Sequence, residues 1–169
     1  MLGLWLSVAC SSDTARLYHH EPHAPSLSQY DIENLEHMGP MVVDNGVNFT
    51  LWSEHATRVE LLLFNDPEAE LPVQQFELTP FGDVWSIHVE GIGYGQYYGF
   101  VAWGSNWPYD ADFYPGSQAG FLKDVDEHGA RFNPNKLLTD PYALAVHRDH
   151  DWSLGSLGTG ESRREESTW

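Results

Sequence analysis

Cysteine occurs once in the 169 residues, at Cys10, so neither an internal disulfide nor a multi-cysteine zinc site is available. Positive charge is scarce: 8 Lys and Arg stand against 25 Asp and Glu, and a formal net charge of −17 repels phosphate backbones and anionic lipid surfaces. Nucleic acid is therefore a poor partner, whereas a neutral ligand neither needs nor forbids this charge. No apolar run approaches the roughly 18 residues that mark a transmembrane helix. A (β/α)₈ barrel, typically about 250 residues, does not fit in the chain. Aromatic residues are plentiful: 7 Trp, 8 Tyr and 8 Phe within an apolar fraction of 41% supply a core and leave some for surfaces. Gly and Pro, 15 and 10, predict many turns and short elements.

Leu2 to Ala9 is a short apolar run ending in a small residue before Cys10, with Ser11, Ser12 and Asp13 after it. It resembles the end of a bacterial lipoprotein signal, although no Lys or Arg precedes it. A start placed downstream of the natural one would explain that; an accidental apolar terminus is the alternative. Residues 1–11 are thus read as a signal remnant, with Cys10 as the candidate lipidation site and export to the periplasm or cell exterior as the expectation. Residues 12–40, polar and broken by Pro22, Pro25 and Pro40, read as a linker or arm. Within it, Ser28 and Asp31 offer caps for one helical turn before Ile32 and Leu35.

From Met41 the pattern changes. Val47, Phe49 and Leu51 alternate with Asn48, Thr50 and Trp52, the period of a half-buried strand, which predicts one strand over Met41 to Ser53. Further strands are expected at Thr57 to Phe64, Val73 to Leu78, Val84 to Val89 and Tyr97 to Gly104, with turns at Asn65-Asp66-Pro67 and at Pro80-Phe81-Gly82-Asp83. No helical period separates them, which predicts an all-β fold, an immunoglobulin-like antiparallel β-sandwich over residues 41–151 with a tail at each end. The aromatic segment from Ser105 to Ala130 is too long for a hairpin loop. Beyond it, Phe132, Leu137, Leu138, Tyr142 and Val146 are expected to be buried, closing the domain edge, and residues 152–169 read as a disordered or truncated end.

Few constellations carry chemistry. Gly91-Ile92-Gly93-Tyr94-Gly95 lacks the following helix that a phosphate loop needs and reads as a turn. Asp124, Asp126 and Gly129 imitate the start of a calcium loop, yet His128 and Asn135 stand where further ligands belong, so a turn is again expected. His147, Asp149, His150 and Asp151 hold metal-binding groups that a solvated tail explains equally well. Asn48-Phe49-Thr50 matches a glycosylation triplet but lies inside a strand. Glycoside hydrolysis needs two carboxyls flanking a cleft, and neither such a pair nor a nucleophile elbow can be picked out, so no catalytic residue is assigned. Trp52, Trp85, Trp103, Trp107 and Tyr109 offer flat faces of the kind sugar rings stack on. Trp85 and Trp103 lie on strands and suit a core; Trp107 and Tyr109 flank Pro108 and are expected to be exposed.

Gly46-Val47-Asn48-Phe49-Thr50-Leu51-Trp52-Ser53 followed by Ala56 to Phe64 resembles the opening of the N-terminal domain of isoamylase-type glycogen debranching enzymes. Gly82-Asp83-Val84-Trp85, Tyr97-Tyr98-Gly99-Phe100 and Arg131 to Ala143, RFNPNKLLTDPYA, follow in the family's order. The loop from Ala102 to Tyr109, with Gly116 to Phe121 and Asp124-Val125-Asp126, is most similar to secreted bacterial isoamylases. The resemblance spans Met38 to Asp151 and implies a sandwich of carbohydrate-binding family forty-eight, placed before a barrel that hydrolyses α-1,6 branch points and is missing here. It further implies α-glucan (glycogen or amylopectin) and the enzyme's own barrel as partners. Trp103, Trp107 and Tyr109 become candidate sugar or domain contacts. Asp149 becomes a calcium ligand completed by the barrel, with no cofactor expected for the chain alone. A stand-alone secreted glucan-binding lectin and a purely structural scaffold remain alternatives.

Overall fold

A computed structural model describes residues 37–146 except Glu68 and Glu70. Among the described residues seven strands follow one another: β1 Gly39–Val43, β2 Gly46–Trp52, β3 Ala56–Phe64, β4 Gln74–Glu77, β5 Thr79–Phe81, β6 Val84–Glu90 and β7 Tyr97–Gly104. They form an antiparallel sandwich of a four-stranded sheet, β1-β2-β6-β5, and a three-stranded sheet, β4-β3-β7. The expected fold class is thus the observed one.

Period-two alternation builds the inner wall of the larger sheet. Val47 pairs with Val89, Phe49 with Ile87 and Leu51 with Trp85, all turned toward the other sheet. Facing them, Val59, Leu61 and Leu63 of β3 meet Phe100 and Ala102 of β7. Phe49, Tyr98 and Phe100 interlock edge to face at centroid distances of 4.8 to 6.5 Å, the arrangement ring quadrupoles favour.

Two strand expectations are corrected. Met41 to Ser53 is a hairpin rather than one strand: Val43 pairs with Gly46 across Asp44-Asn45, and the Asp-Asn-Gly sequence is the turn signal that the flanking apolar residues hid. Pro80 and Phe81 belong to β5, and the turn is Gly82-Asp83 alone. Gly82, at φ 64°, occupies the first central position of that two-residue loop, where a side chain would be strained. Between β4 and β5 only Leu78 intervenes, buried and donating its N–H to Val59 O at 2.9 Å, so the chain changes sheets within one residue.

β3 and β7 depart from alternation. Val59 to Phe64 and Gly99 to Gly104 are buried without interruption, the pattern of strands covered on both faces. Their second face carries Leu62, Phe64, Val101 and Trp103, and the irregular segment after Gly104 lies over it with Trp107, Phe113, Phe121 and Leu137. Leu137 seats against Gly99, where an added Cβ would fall 2.6 Å from its Cγ. The chain then runs beside β7 through the Phe100–Leu138 bridge.

Candidate functional site

Of the three aromatic candidates, the structure buries two. Trp107 is 0% exposed: its backbone exchanges hydrogen bonds with Gly104, its indole N–H donates to Ala119 O at 2.8 Å, and Phe121 packs edge-on to it at 4.9 Å. The expectation of an exposed Trp107 is therefore corrected; the Gly104-Ser105-Asn106 turn folds it back onto the sheet. Trp103 is 1% exposed beneath Tyr109 and Phe113, and its indole nitrogen finds no acceptor. Tyr109 remains 46% exposed, but the Arg58 guanidinium lies 4.0 Å from its ring centroid and occupies one face. Among the described residues Trp52 is the tryptophan left open, at the end of β2, while Trp85 is buried in the core as expected. Cys10, Asp149, His147, His150 and Asp151 lie outside the described residues, as do the helical turn at Ser28 and the tail at 152–169.

Arg58 is fixed by more than Tyr109. It pairs with Glu60 at 2.6 Å and with Glu77 at 2.7 Å, and Gln75 donates to the second oxygen of Glu60. Burial pushes the Glu60 carboxyl above its ordinary value, opposed by Arg58. No sequence signal marked this network; Arg58 and Glu60 share the face of β3 that carries Leu62 and Phe64.

Polar side chains stitch the long segment together. Asn106 donates to Phe132 O at 2.8 Å and Lys123 O at 3.2 Å, and accepts from Phe132 N at 3.0 Å. Asn135 bonds Ser117 O and Gly116 N at 2.9 and 2.7 Å. The Asp124–Gly129 stretch is a turn: Asp126 accepts from the Ser105 hydroxyl and from the N–H groups of His128 and Ala130. The Ser105 bond, with help from those amides and against burial, holds its carboxyl down at about 2. The Gly91–Gly95 stretch is likewise a turn between β6 and β7.

An open cleft of about 140 Å³ lies between the end of β3, the start of β7 and residues 137–146. Roughly that volume holds one six-membered ring. Phe64, Leu137 and Leu138 give it apolar walls; Tyr97, Gln96 and Thr139 give it polar edges. At its side the Tyr98 hydroxyl donates to Asp140 Oδ2 at 2.9 Å, and Asp140 Oδ1 accepts from Tyr142 N at 2.8 Å. Burial and the Asp140 charge push the Tyr98 phenol well above its usual range, so it stays a neutral donor. Asp140 is the one carboxyl on the described lining, which does not assemble the pair that glycosidic hydrolysis uses.

The edge-closing segment is corrected in detail. Phe132 and Leu137 are partly buried, but Leu138, Tyr142 and Val146 are 45%, 54% and 57% exposed. Asn133, Asn135, Lys136 and Asp140 are buried instead, because this irregular stretch is anchored by hydrogen bonds rather than by alternation. Among the described residues no three His, Cys, Asp or Glu side chains gather as a metal group, and no helix is long and apolar enough to cross a membrane.

An antiparallel sandwich carrying a ring-sized cleft at one end defines a small β-sandwich module. Its sequence places it further: the chain belongs to the carbohydrate-binding module 48 family, the isoamylase N-terminal domain, whose model matches residues 37–143. It is 43% identical over 121 residues to an isoamylase of Flavobacterium sp, covering 66% of this chain and 16% of that protein. It is 40% identical over 111 residues to a glycogen debranching enzyme of Serratia proteamaculans, covering 64% of this chain and 14% of that one. A pullulanase of Paenibacillus barengoltzii, solved with maltohexaose and alpha-cyclodextrin, matches 55% of this chain and 12% of its own at 15% identity and a TM-score of 0.37. The chain thus spans about one seventh of the length of the curated relatives, 14% to 16%.

Proposed function

We propose that this chain is the noncatalytic, glucan-associated N-terminal domain of an isoamylase-type enzyme that hydrolyses α-1,6 branch points of glycogen or starch. The family match over residues 37–143 carries the reading, since it takes in the whole sandwich and the loop that covers it. In this reading a separate barrel supplies the catalytic carboxylates, and the sandwich contacts glucan or that barrel.

The cleft beside Tyr98 and Asp140 is the proposed sugar contact, in place of Trp107. A pyranose offers an apolar C–H face to Leu138 and Tyr97 and hydroxyls to Gln96 and Thr139. Affinity electrophoresis in glycogen tests it: retardation of the full chain should weaken in Tyr97→Ala and Thr139→Ala while high salt changes little, because no ion pair forms. Equal retardation of wild type and both variants would remove the cleft as a sugar site. The inward turn of Trp103 and Trp107 favours a second reading, a scaffold that binds no glucan by itself; wild type then migrates as in a gel without glycogen. Release of reducing ends from glycogen by the pure chain would overturn the noncatalytic assignment.

Two finer parts of the proposal concern residues outside the described range. Cys10 is the proposed lipid attachment point of an exported protein, which mass spectrometry of the mature chain from a bacterial host decides. Asp149 is the proposed single calcium ligand from this domain. Calcium takes six to eight oxygens, so calorimetry should find no tight site in the chain alone.

A further inference from the structure

The outward face of the four-stranded sheet is not built like a solvent face. Register brings Gly39, Thr50, Ser86 and Thr79 into one row across β1, β2, β6 and β5, and Met41, Asn48 and His88 into the next. These side chains point away from the inter-sheet core, yet Asn48, Thr50 and Ser86 are only 2%, 1% and 2% exposed. Thr50 and Ser86 share a hydrogen bond at 3.1 Å, and Asn48 Oδ1 meets His88 Nδ1 at 2.6 Å. The Asn48 amide nitrogen is buried without an acceptor. A buried N–H normally has a partner, so an acceptor belongs over this face. The aromatic loop cannot provide it, because that loop packs on Leu62, Phe64, Val101 and Trp103, on the opposite side of the sandwich.

We propose that this face is an intramolecular docking surface and that its occupant is the stretch of the chain just before His37, residues 25–36. The point of departure favours it: His37 lies two residues before Gly39, which stands in the same row as Thr50 and Ser86. Crossing four strands takes three spacings of about 4.8 Å, which about five extended residues span. Twelve are available, and they carry backbone carbonyls together with Ser28, Gln29 and Asn34 as acceptors for the Asn48 amide. The chain after Tyr142 is a weaker occupant. Tyr142 does reach Gly39, where an added Cβ would fall 2.4 Å from its own, but Ala143, Ala145 and Val146 then line the cleft with Phe64 and Pro67. A second copy is disfavoured by chemistry, since a row of Asn, Thr and Ser lacks the apolar core of a stable homodimer interface.

The test uses the full chain with Cys10→Ser and a nitroxide attached at Leu35→Cys, or at Glu36→Cys should the first variant fold poorly. Paramagnetic broadening is read by NMR at the Asn48 side-chain amide and the Thr50 and Ser86 backbone amides. These signals should lose most of their intensity, while Leu62 and Val101 on the other sheet keep theirs. A nitroxide at Leu154→Cys should leave all of them intact. Full intensity with both upstream labels, broadening from Leu154→Cys instead, or broadening seen only on unlabelled molecules mixed with labelled ones would each overturn the proposal; the last two identify the tail or a second copy as the cover.

Discussion

The two faces of the three-stranded sheet are buried by different means. Toward the larger sheet, Val59, Leu61 and Leu63 meet aliphatic and aromatic partners supplied by strands, and the backbone on both sides is satisfied by ladders. On the other face Trp103 is covered by the segment that brings in Trp107, which has no ladder of its own and is held by Asn106, Asn135 and Asp126. A core can thus be closed by irregular chain, provided buried side-chain amides and carboxylates replace the missing backbone partners. Stability on the first side rests on packing alone; on the second it rests on packing plus a few polar hubs.

The sharpest way to break this comparison is to empty each cluster in turn. Phe49→Ala and Trp107→Ala should each cost about 3–5 kcal/mol in urea unfolding. Trp107→Ala alone should expose the segment from Ser105 to Leu138 to protease under conditions where the strands stay intact. Equal protease resistance in both variants would show the two cores to be one cooperative unit.

Asn106→Ala comes next. It leaves the Phe132 N–H and O and the Lys123 O without their partner, a loss of about 1–3 kcal/mol, whereas Thr79→Ala on the ladder side should cost little. An Asn106→Ala midpoint equal to wild type would mean water replaces the hub.

The third handle is pH. Asp126 has its carboxyl lowered in the folded chain from 3.8 to about 2, so its contribution is present above 3.8 and is lost as pH falls through 2. Glu60 is raised, so its contribution is present below its ordinary 4.5 and is lost as pH rises through its folded value. Asp126→Asn should flatten the acid side of a stability profile, and Glu60→Gln should flatten the rise in cost toward neutral pH. Unchanged profiles in both would remove these two groups from the account. The smallest effect belongs to Tyr109→Ala, where loss of the half-exposed contact with Arg58 should cost about 0.5–1 kcal/mol, measured by thermal melting.

The same contrast explains what could be read from the sequence. Val47, Phe49, Leu51 and the β6 residues alternate, so the inter-sheet core and the all-β class were legible. The Asp44-Asn45 hairpin was missed because the apolar residues on either side of it run together in the sequence. Trp107 was expected outside because it follows a Gly-Ser-Asn turn and precedes a proline, a loop composition; nothing local records that Ala119 O and Phe121 return to meet it from twelve or more residues away. The cleft was not legible at all. Tyr98, Phe64 and Leu138 come from three separate segments, and only the Phe100–Leu138 bridge sets them side by side. The resemblance quoted on Arg131 to Ala143 marked the right segment, but burial there falls on Asn133, Asn135 and Asp140 rather than on the leucines.

The one-residue passage of Leu78 from one sheet to the other bears on aggregation. Each sheet has two outer strands, and an outer strand with free N–H and C=O groups is a template for pairing with another chain. Here β4 and β5 are outer strands of different sheets, joined through buried Leu78, so at that side the two open rims are drawn together. On the other side Leu138 pairs with Phe100 along β7, and Tyr142 backs onto Gly39 of β1. Pro40 in β1 and Pro80 in β5 remove a donor from each rim of the larger sheet. Among the described residues no rim is left long and bare, so a domain rich in strands can be held at high concentration without growing into fibrils by addition at its edges.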